Sequence, residues 1–442
     1  MQTAKGSSVS ALLIGLFYIM AFAASAWGGS EQVLHQFQSQ QEGFRPLSGV
    51  LLLHGKIYGA ANQGGKSRDQ DGTIYELTQT QSGWSRKTLH NFTGGRDGSL
   101  PITDLTADNA GNLYGMTTQG GRPACYAGSG CGVIFKLTRG TGGWKESEIH
   151  YFDEKDGSYP MGNLVWDAAG NLYGTATGDI SSSGTVFKLS PSGTGWKLTT
   201  IHRFRGTDGG GPGSLFRDKQ GDLYGSTGGG GAYGYGTVYR LSPSGKNWNL
   251  TTLYSFTGGT DGSLPYGPVL YKNGTIYGTT LYGGASRVFG TVYQLKSTNG
   301  VWHESVLYSF QSGSDGSYPC CGVVMDSKGN LYGTTEGDTI FKLTNSGGQW
   351  TKSNAWSFDG RDGSEPGSRL VWDSHGNLYG TTAYGGNYCG DGGCGTVFKF
   401  TPKPCSPSSS RKNPYIVRAP QLLDHRTGAR TLWKLWLCFS AR

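Results

Sequence analysis

Apolar and aromatic residues along this chain come in short alternating or paired bursts, each cut off by Gly, Asn, Asp or Ser. That texture predicts β-strands joined by tight turns, and no long stretch has the apolar positions three and four apart that an amphipathic helix requires. The bursts recur. Variants of Gly-Asn-Leu-Tyr-Gly-Thr-Thr occur seven times, with tyrosines at Tyr58, Tyr114, Tyr173, Tyr224, Tyr277, Tyr332 and Tyr379, spaced by 56, 59, 51, 53, 55 and 47 residues. A period near 50 residues with several short strands per unit predicts the blades of a β-propeller rather than a helical solenoid.

Each unit divides into four pieces, here called A to D. In the third they run Gly162 to Asp167, Asn171 to Ala176, Gly184 to Leu189 and Trp196 to Phe204. The turn Asp167 to Asn171 places Gly170 where a hairpin needs a positive φ, so A and B pair antiparallel. Leu172 and Tyr173 point to opposite faces of B, and both faces are therefore expected to be covered by neighbouring blades. The glycine after each repeat tyrosine is read as a place where backbones of adjacent blades approach closely.

The seventh unit has A, B and C pieces at Gly367 to Asp373, Asn377 to Thr382 and Gly395 to Phe400, but no D piece follows. Residues Trp27 to Phe37 match Trp84 to Phe92 and Trp144 to Phe152 with two extra residues. The expectation is an all-β, seven-bladed propeller of four-stranded blades over residues 27–402, with this N-terminal strand supplying the outer strand of the last blade.

The chain resembles the secreted tandem-repeat proteins known as GloVer (Gloeo/Verruco) repeat proteins. The resemblance rests on units such as Gly329 to Thr335 and Gly184 to Leu189 and covers about residues 31–402. It implies export and, in many members, a C-terminal surface anchor; it implies no particular activity.

Composition adds ordered, turn-rich structure: 77 of 442 residues are Gly, yet 55 are Phe, Tyr or Trp at recurring places. Lys5, the apolar run Ala11 to Ala24 and the small residues Ala24 to Ala26 read as a signal peptide over residues 1–26, hence a secreted or cell-surface protein. The formal charge of +8 comes from Lys5 and from the basic tail 403–442, read as disordered and too briefly apolar at Leu432 to Phe439 to span a membrane. The ring itself is near neutral, which argues against a nucleic-acid partner.

In an exported chain, Cys125 with Cys131 and Cys389 with Cys394, each pair inside one B-to-C loop, are expected to form disulfides rather than a zinc site. Adjacent Cys320 and Cys321 are read as buried thiols; Cys405 and Cys438 stay unassigned. Every D-to-A junction carries an acid: Glu42, Asp97, Asp156, Asp208, Asp261, Asp315 and Asp362. This ring is a candidate cation or polyol site, set against the plainer reading of Asp-Gly turns that accept local N–H bonds. Asp69, Asp71 and Glu76 have the wrong spacing for a calcium loop. His35, His90, His150 and His202 align with Tyr254, Tyr308 and Trp356, and so read as packing, as do the repeated tryptophans of D.

No metal or cofactor is called for by these motifs. Two functions follow: a monomeric, non-catalytic binding or scaffold module for a protein or glycan partner, or an extracellular glycan-acting enzyme with Glu336 and Asp338 as candidate acids.

Overall fold

A computed structural model describes residues 28–403, apart from 123–124, 126–127, 179–182 and 390–391. The signal peptide, Trp27 and the basic tail lie outside the described residues. Seven separate four-stranded antiparallel sheets, each running A-B-C-D from the axis outward, form a seven-bladed β-propeller. In blade 3 the strands are Val165–Trp166, Leu172–Ala176, Thr185–Ser192 and Gly195–Arg203. Strand A is shorter than the sequence suggests. The residues ahead of it serve the neighbouring blade instead: Asn163 brackets the backbone N–H and C=O of Leu215 in blade 4 at 2.8 and 3.1 Å.

Strand B is buried on both faces, with Leu172 at 0% and Tyr173 at 4% exposure, because blades flank it on either side. Its glycine has a different cause from the one expected. Gly174 lies directly opposite Phe187 of strand C, and a Cβ there would stand 2.5 Å from the Phe187 ring. The same pairing joins Gly59 to Tyr75, Gly225 to Tyr239 and Gly380 to Phe398. A cross-strand ring within the blade, rather than backbone from the next blade, claims the space.

Between blades, the tryptophan of strand D packs on the repeat tyrosine of the preceding blade. Trp144 meets Tyr58, Trp196 meets Tyr114 and Trp248 meets Tyr173, edge to face at 6.1, 6.1 and 5.7 Å. Each such contact buries two large apolar surfaces and adds about 0.5–1.5 kcal/mol beyond burial.

Ring closure is as the ends of the sequence predict. Gly29–Gln36 is strand D of blade 7 and pairs antiparallel with strand C, Thr396–Pro402, from Gly29↔Pro402 to Gln36↔Thr396. The register corrects one alignment: Gly29, not Trp27, takes the place that Trp84 holds opposite Gln79 in blade 1. Every strand D carries a bulge, and in blade 7 it falls between Val33 and His35. Leu34 is the extra residue; the bulge turns it inward, where it is buried with Phe37 against Val50 and Ile57 of blade 1.

Candidate functional site

The D-to-A and B-to-C connections all open on one face of the ring, since A and C run one way and B and D the other. Each D-to-A junction has an acid, a glycine and, three residues after that glycine, a proline, as in Asp261-Gly-Ser-Leu-Pro265. The acid is held by its own turn. Asp261 accepts bonds from Thr257 N–H (2.8 Å), Thr257 Oγ1 (2.6 Å), Gly259 N–H (3.2 Å) and Tyr254 OH (3.1 Å).

The last partner adds to the packing account of the aligned His, Tyr and Trp: His90 and Tyr254 pack edge-on against Phe92 and Phe256 at 4.7 and 5.0 Å, and their polar hydrogens reach the acid as well. His90 and His202 lie 3.0 Å from Asp97 and Asp208, and His150 lies 2.6 Å from Asp156, each through Nε2. Tyr308 OH donates to Asp315 at 2.7 Å and Trp356 Nε1 to Asp362 at 2.8 Å. Three side-chain types are tolerated because each can aim one polar hydrogen at the carboxylate. Blade 1 is the exception: His35 Nε2 is 3.6 Å from Glu42, too far for a hydrogen bond, and burial pushes that imidazole down to about 4. The ring of seven acids is therefore present as a ring of junctions, each with partners inside its own turn. Asp261→Ala removes four hydrogen bonds at once, and a loss of about 2 kcal/mol in urea unfolding is expected.

A feature the sequence analysis missed lies just before each proline. Arg45, Leu100, Tyr159, Leu264, Tyr318 and Glu365 all have φ between 51° and 58°, and the seventh equivalent, Gly211, has 61°. Left-handed backbone is unfavourable for a side-chain-bearing residue, and the position before proline disfavours helical values further. Hydrogen bonds on both sides hold it there. Leu264 N–H donates to Tyr235 O of the preceding blade, and Leu281 N–H donates to Leu264 O, both at 3.1 Å. The recurring acid-Gly-x-x-Pro phrase was the signal available.

These residues meet others from the adjacent B-to-C loops. The Arg45 guanidinium lies 4.9 Å from the Tyr384 ring centre, Gln119 Nε2 donates to Tyr159 OH at 2.7 Å, and Tyr282 packs edge-on to Tyr318 at 5.6 Å. Of the large apolar or aromatic side chains exposed among the described residues, Tyr233, Tyr235, Leu264, Tyr282, Val288 and Tyr388 belong to this face, leaving Val301 and Val306 elsewhere.

Asp338 accepts from Ser364 Oγ (3.0 Å) and Glu365 N–H (2.7 Å), clasping the junction into blade 7. Glu336 is exposed at the loop end, its pKa raised by burial of part of the carboxyl and by the Glu365 charge. Glu76 is paired with Lys56 at 2.6 Å rather than turned towards Asp69 and Asp71. Among the described residues no three His, Cys, Asp or Glu side chains converge as metal ligands, and no helix is long and apolar enough to cross a membrane.

The cysteines join as expected in the loops, Cys125 to Cys131 and Cys389 to Cys394. Cys320 and Cys321, read from sequence as thiols, are instead joined to each other on the wall of the axial channel. Both lie in the short loop before strand A of blade 6, Val324–Met325, which brings the two sulfurs together. Peptide mapping of the oxidised protein should recover all three pairs, and an alkylatable thiol at Cys320 would count against the third.

A cavity of about 710 Å³ is a groove between blades 7 and 1 lined by Tyr379 and Trp84. A similar groove with Tyr173 and Trp248 separates blades 3 and 4, so it is a product of the repeated packing.

The Gloeobacter/Verrucomicrobia repeat profile matches residues 13–216 and 177–339. No curated protein matches the sequence. Among solved structures, a Bacteroides uniformis protein provisionally assigned as a 6-phosphogluconolactonase is 12% identical, with TM-score 0.46, covering 68% of this chain and 80% of its own. A Dyadobacter fermentans protein of unknown function is 13% identical, with TM-score 0.42, covering 73% and 96%. With its repeats matched over more than half its length, the chain belongs to the Gloeobacter/Verrucomicrobia repeat family.

Proposed function

We propose that this protein is a secreted or cell-surface, monomeric recognition module that holds a protein or glycan partner on its loop face without chemically altering it. The observation that carries this reading is the set of left-handed residues before the prolines. Gly211 demonstrates that glycine fits the position. Six blades nevertheless keep a side chain there, at a cost of about 1–2 kcal/mol each. Backbone strain retained at a ring of exposed or half-exposed, chemically varied side chains is accounted for by what those side chains touch. Tyr235, Tyr282 and Tyr388, 47%, 42% and 43% exposed, supply the rigid amphipathic surface typical of recognition sites.

The junction acids serve as the frame of this face, and the disulfides suit an oxidising, extracytoplasmic setting. A glycan-cleaving enzyme needs two carboxyls free to act across one bond. Asp338, the other candidate acid, is tied to the blade 7 junction by Ser364 Oγ and Glu365 N–H.

The test uses immobilised full-length protein and a Tyr235→Ser/Tyr282→Ser variant, probed on a glycan array and with extracellular protein fractions, beside an assay for released reducing ends. Saturable binding that the variant loses, with no reducing ends released, is expected. Reducing ends released by the wild type and abolished by Glu336→Gln would replace this reading with the enzymatic one.

A further inference from the structure

A sevenfold repeat can hold a single small ligand only where the repeats stop being alike, and the one region shared by every blade is the axial channel. At the channel position just ahead of strand A, blades 1 and 6 offer Gly49 and Gly322, blade 5 Pro268, blade 4 Ser214 and blade 3 Asn163. Asn163 already holds the Leu215 backbone through both its Oδ1 and its Nδ2. Blades 2 and 7 differ, placing Asp104 and Arg369 there, on either side of Gly49.

These two charges line both sections of the channel. One section, about 400 Å³, has walls of Val50, Leu105, Leu164, Val324 and Leu370. The other is a narrower stretch of about 100 Å³, bounded by Met161, Tyr266 and the joined Cys320 and Cys321. Asp104 uses one oxygen to accept Gly49 N–H at 2.6 Å. Only glycine permits that approach, since a Cβ at position 49 would stand 2.9 Å from the same oxygen and 3.1 Å from Arg369 O. The other Asp104 oxygen has no side-chain or backbone partner among the described residues. The Arg369 guanidinium, half-buried, makes neither an ion pair nor a hydrogen bond among them.

A half-buried guanidinium with five unused donors beside apolar walls matches a carboxylate, which it can take through two parallel N–H···O bonds. A small apolar-walled cavity with a few convergent polar groups is also the usual form of a ligand site. We infer that the axial channel binds a small organic acid, its carboxylate on Arg369 and an adjacent hydroxyl or ammonium donor on the free oxygen of Asp104. This site is distinct from partner binding on the loop face and stands or falls separately from it.

Calorimetry and thermal-shift titration of the full chain with L-malate, L-glutamate and D-glucuronate test the assignment, each beside its neutral amide. The two donor chemistries separate by arm: malate and glucuronate carry hydroxyls, glutamate an ammonium. Saturable binding of at least one acid and not its amide is expected, weakened tenfold or more by Arg369→Gln and partly restored by Arg369→Lys. Asp104→Asn should weaken that acid while leaving any binding of acetate unchanged. Because Arg369 has no protein partner, Arg369→Gln should melt at the wild-type temperature without ligand. Absence of saturable binding by all three acids, equal affinity in Arg369→Gln, or a lowered melting temperature of that variant would each overturn the site.

Discussion

Deleting residues 28–37 is expected to unfold the propeller rather than trim it. That segment is the outer strand of blade 7, and without it strand C of that blade becomes an open edge. The loss extends beyond the ladder. Leu34 and Phe37 are 6% and 1% exposed and sit in the core shared by blades 7 and 1, so the deletion opens the join between the first and last blades. Removing a buried Leu or Phe costs about 2–5 kcal/mol each, against a total stability of about 5–15 kcal/mol. Truncation after Lys403, one residue past the last paired strand, should by contrast leave the melting temperature unchanged. Circular dichroism melts of the two truncations check both statements. Proline at Leu34 is a weaker test than the strand pattern suggests, because Leu34 is the unpaired residue of a bulge, where proline is better tolerated.

Alkaline destabilisation is the second large effect. The residue of strand D opposite a C-strand Leu or Phe points at the junction acid leading into its own blade. In blade 6 it is Lys352, whose Nζ reaches both Asp315 O and, at 2.9 Å, Asp315 Oδ1; in blade 1 it is Arg86, which reaches Glu42 O. Blades 2, 5 and 7 put Glu146, Glu304 and Glu31 in the same place. Each has a buried Oε1 without a hydrogen-bond partner. Burial, then carboxylate neighbours, push all three up to about 8. Those neighbours are Glu148 and Asp97 for Glu146, Asp261 for Glu304, and Asp362 and Asp359 for Glu31. The groups stay protonated in the folded protein and ionise at ordinary values, near 4.5, when it unfolds.

The folded state thus holds more protons, and stability falls as pH rises from about 4.5 to about 8, then levels off. Partial exposure screens each contribution, to roughly 1 kcal/mol per site. The triple variant Glu31→Gln, Glu146→Gln, Glu304→Gln keeps the shape and stays neutral at every pH. Its melting temperature should exceed the wild type's by several degrees at pH 9 and match it near pH 5. Parallel wild-type and variant curves would show that these carboxyls are not protonated.

Repetition made most of the architecture readable. Leu172 and Tyr173, seen in seven variants, established a strand covered on both faces, and the missing D piece of blade 7 located its own replacement. What escaped depended on geometry that residue types do not encode. The bulge that turns Leu34 inward leaves no mark on hydropathy, and the two extra residues after Trp27 disguised Gly29 as an insertion. His90, Tyr254 and Trp356 look alike as aromatic bulk, yet what they share is one hydrogen aimed at an acid six or seven residues on. Glu146 reads as an ordinary surface residue until the fold brings the Asp97 junction beside it. The left-handed residues were within reach, since a chemically variable position two residues after a fixed Gly and just before a fixed Pro is visible in the sequence; their φ values were not.

That ring of strained side chains carries the account, and a melt of one variant tests it most directly. Leu264, 37% exposed, and the exposed Glu365 are both changed to glycine, which accepts a φ near 50° without penalty. If those side chains exist for a partner, the Leu264→Gly/Glu365→Gly protein will melt at or above the wild-type temperature. If they instead hold the propeller together, it will melt several degrees lower, and the loop face loses its claim to be a recognition surface.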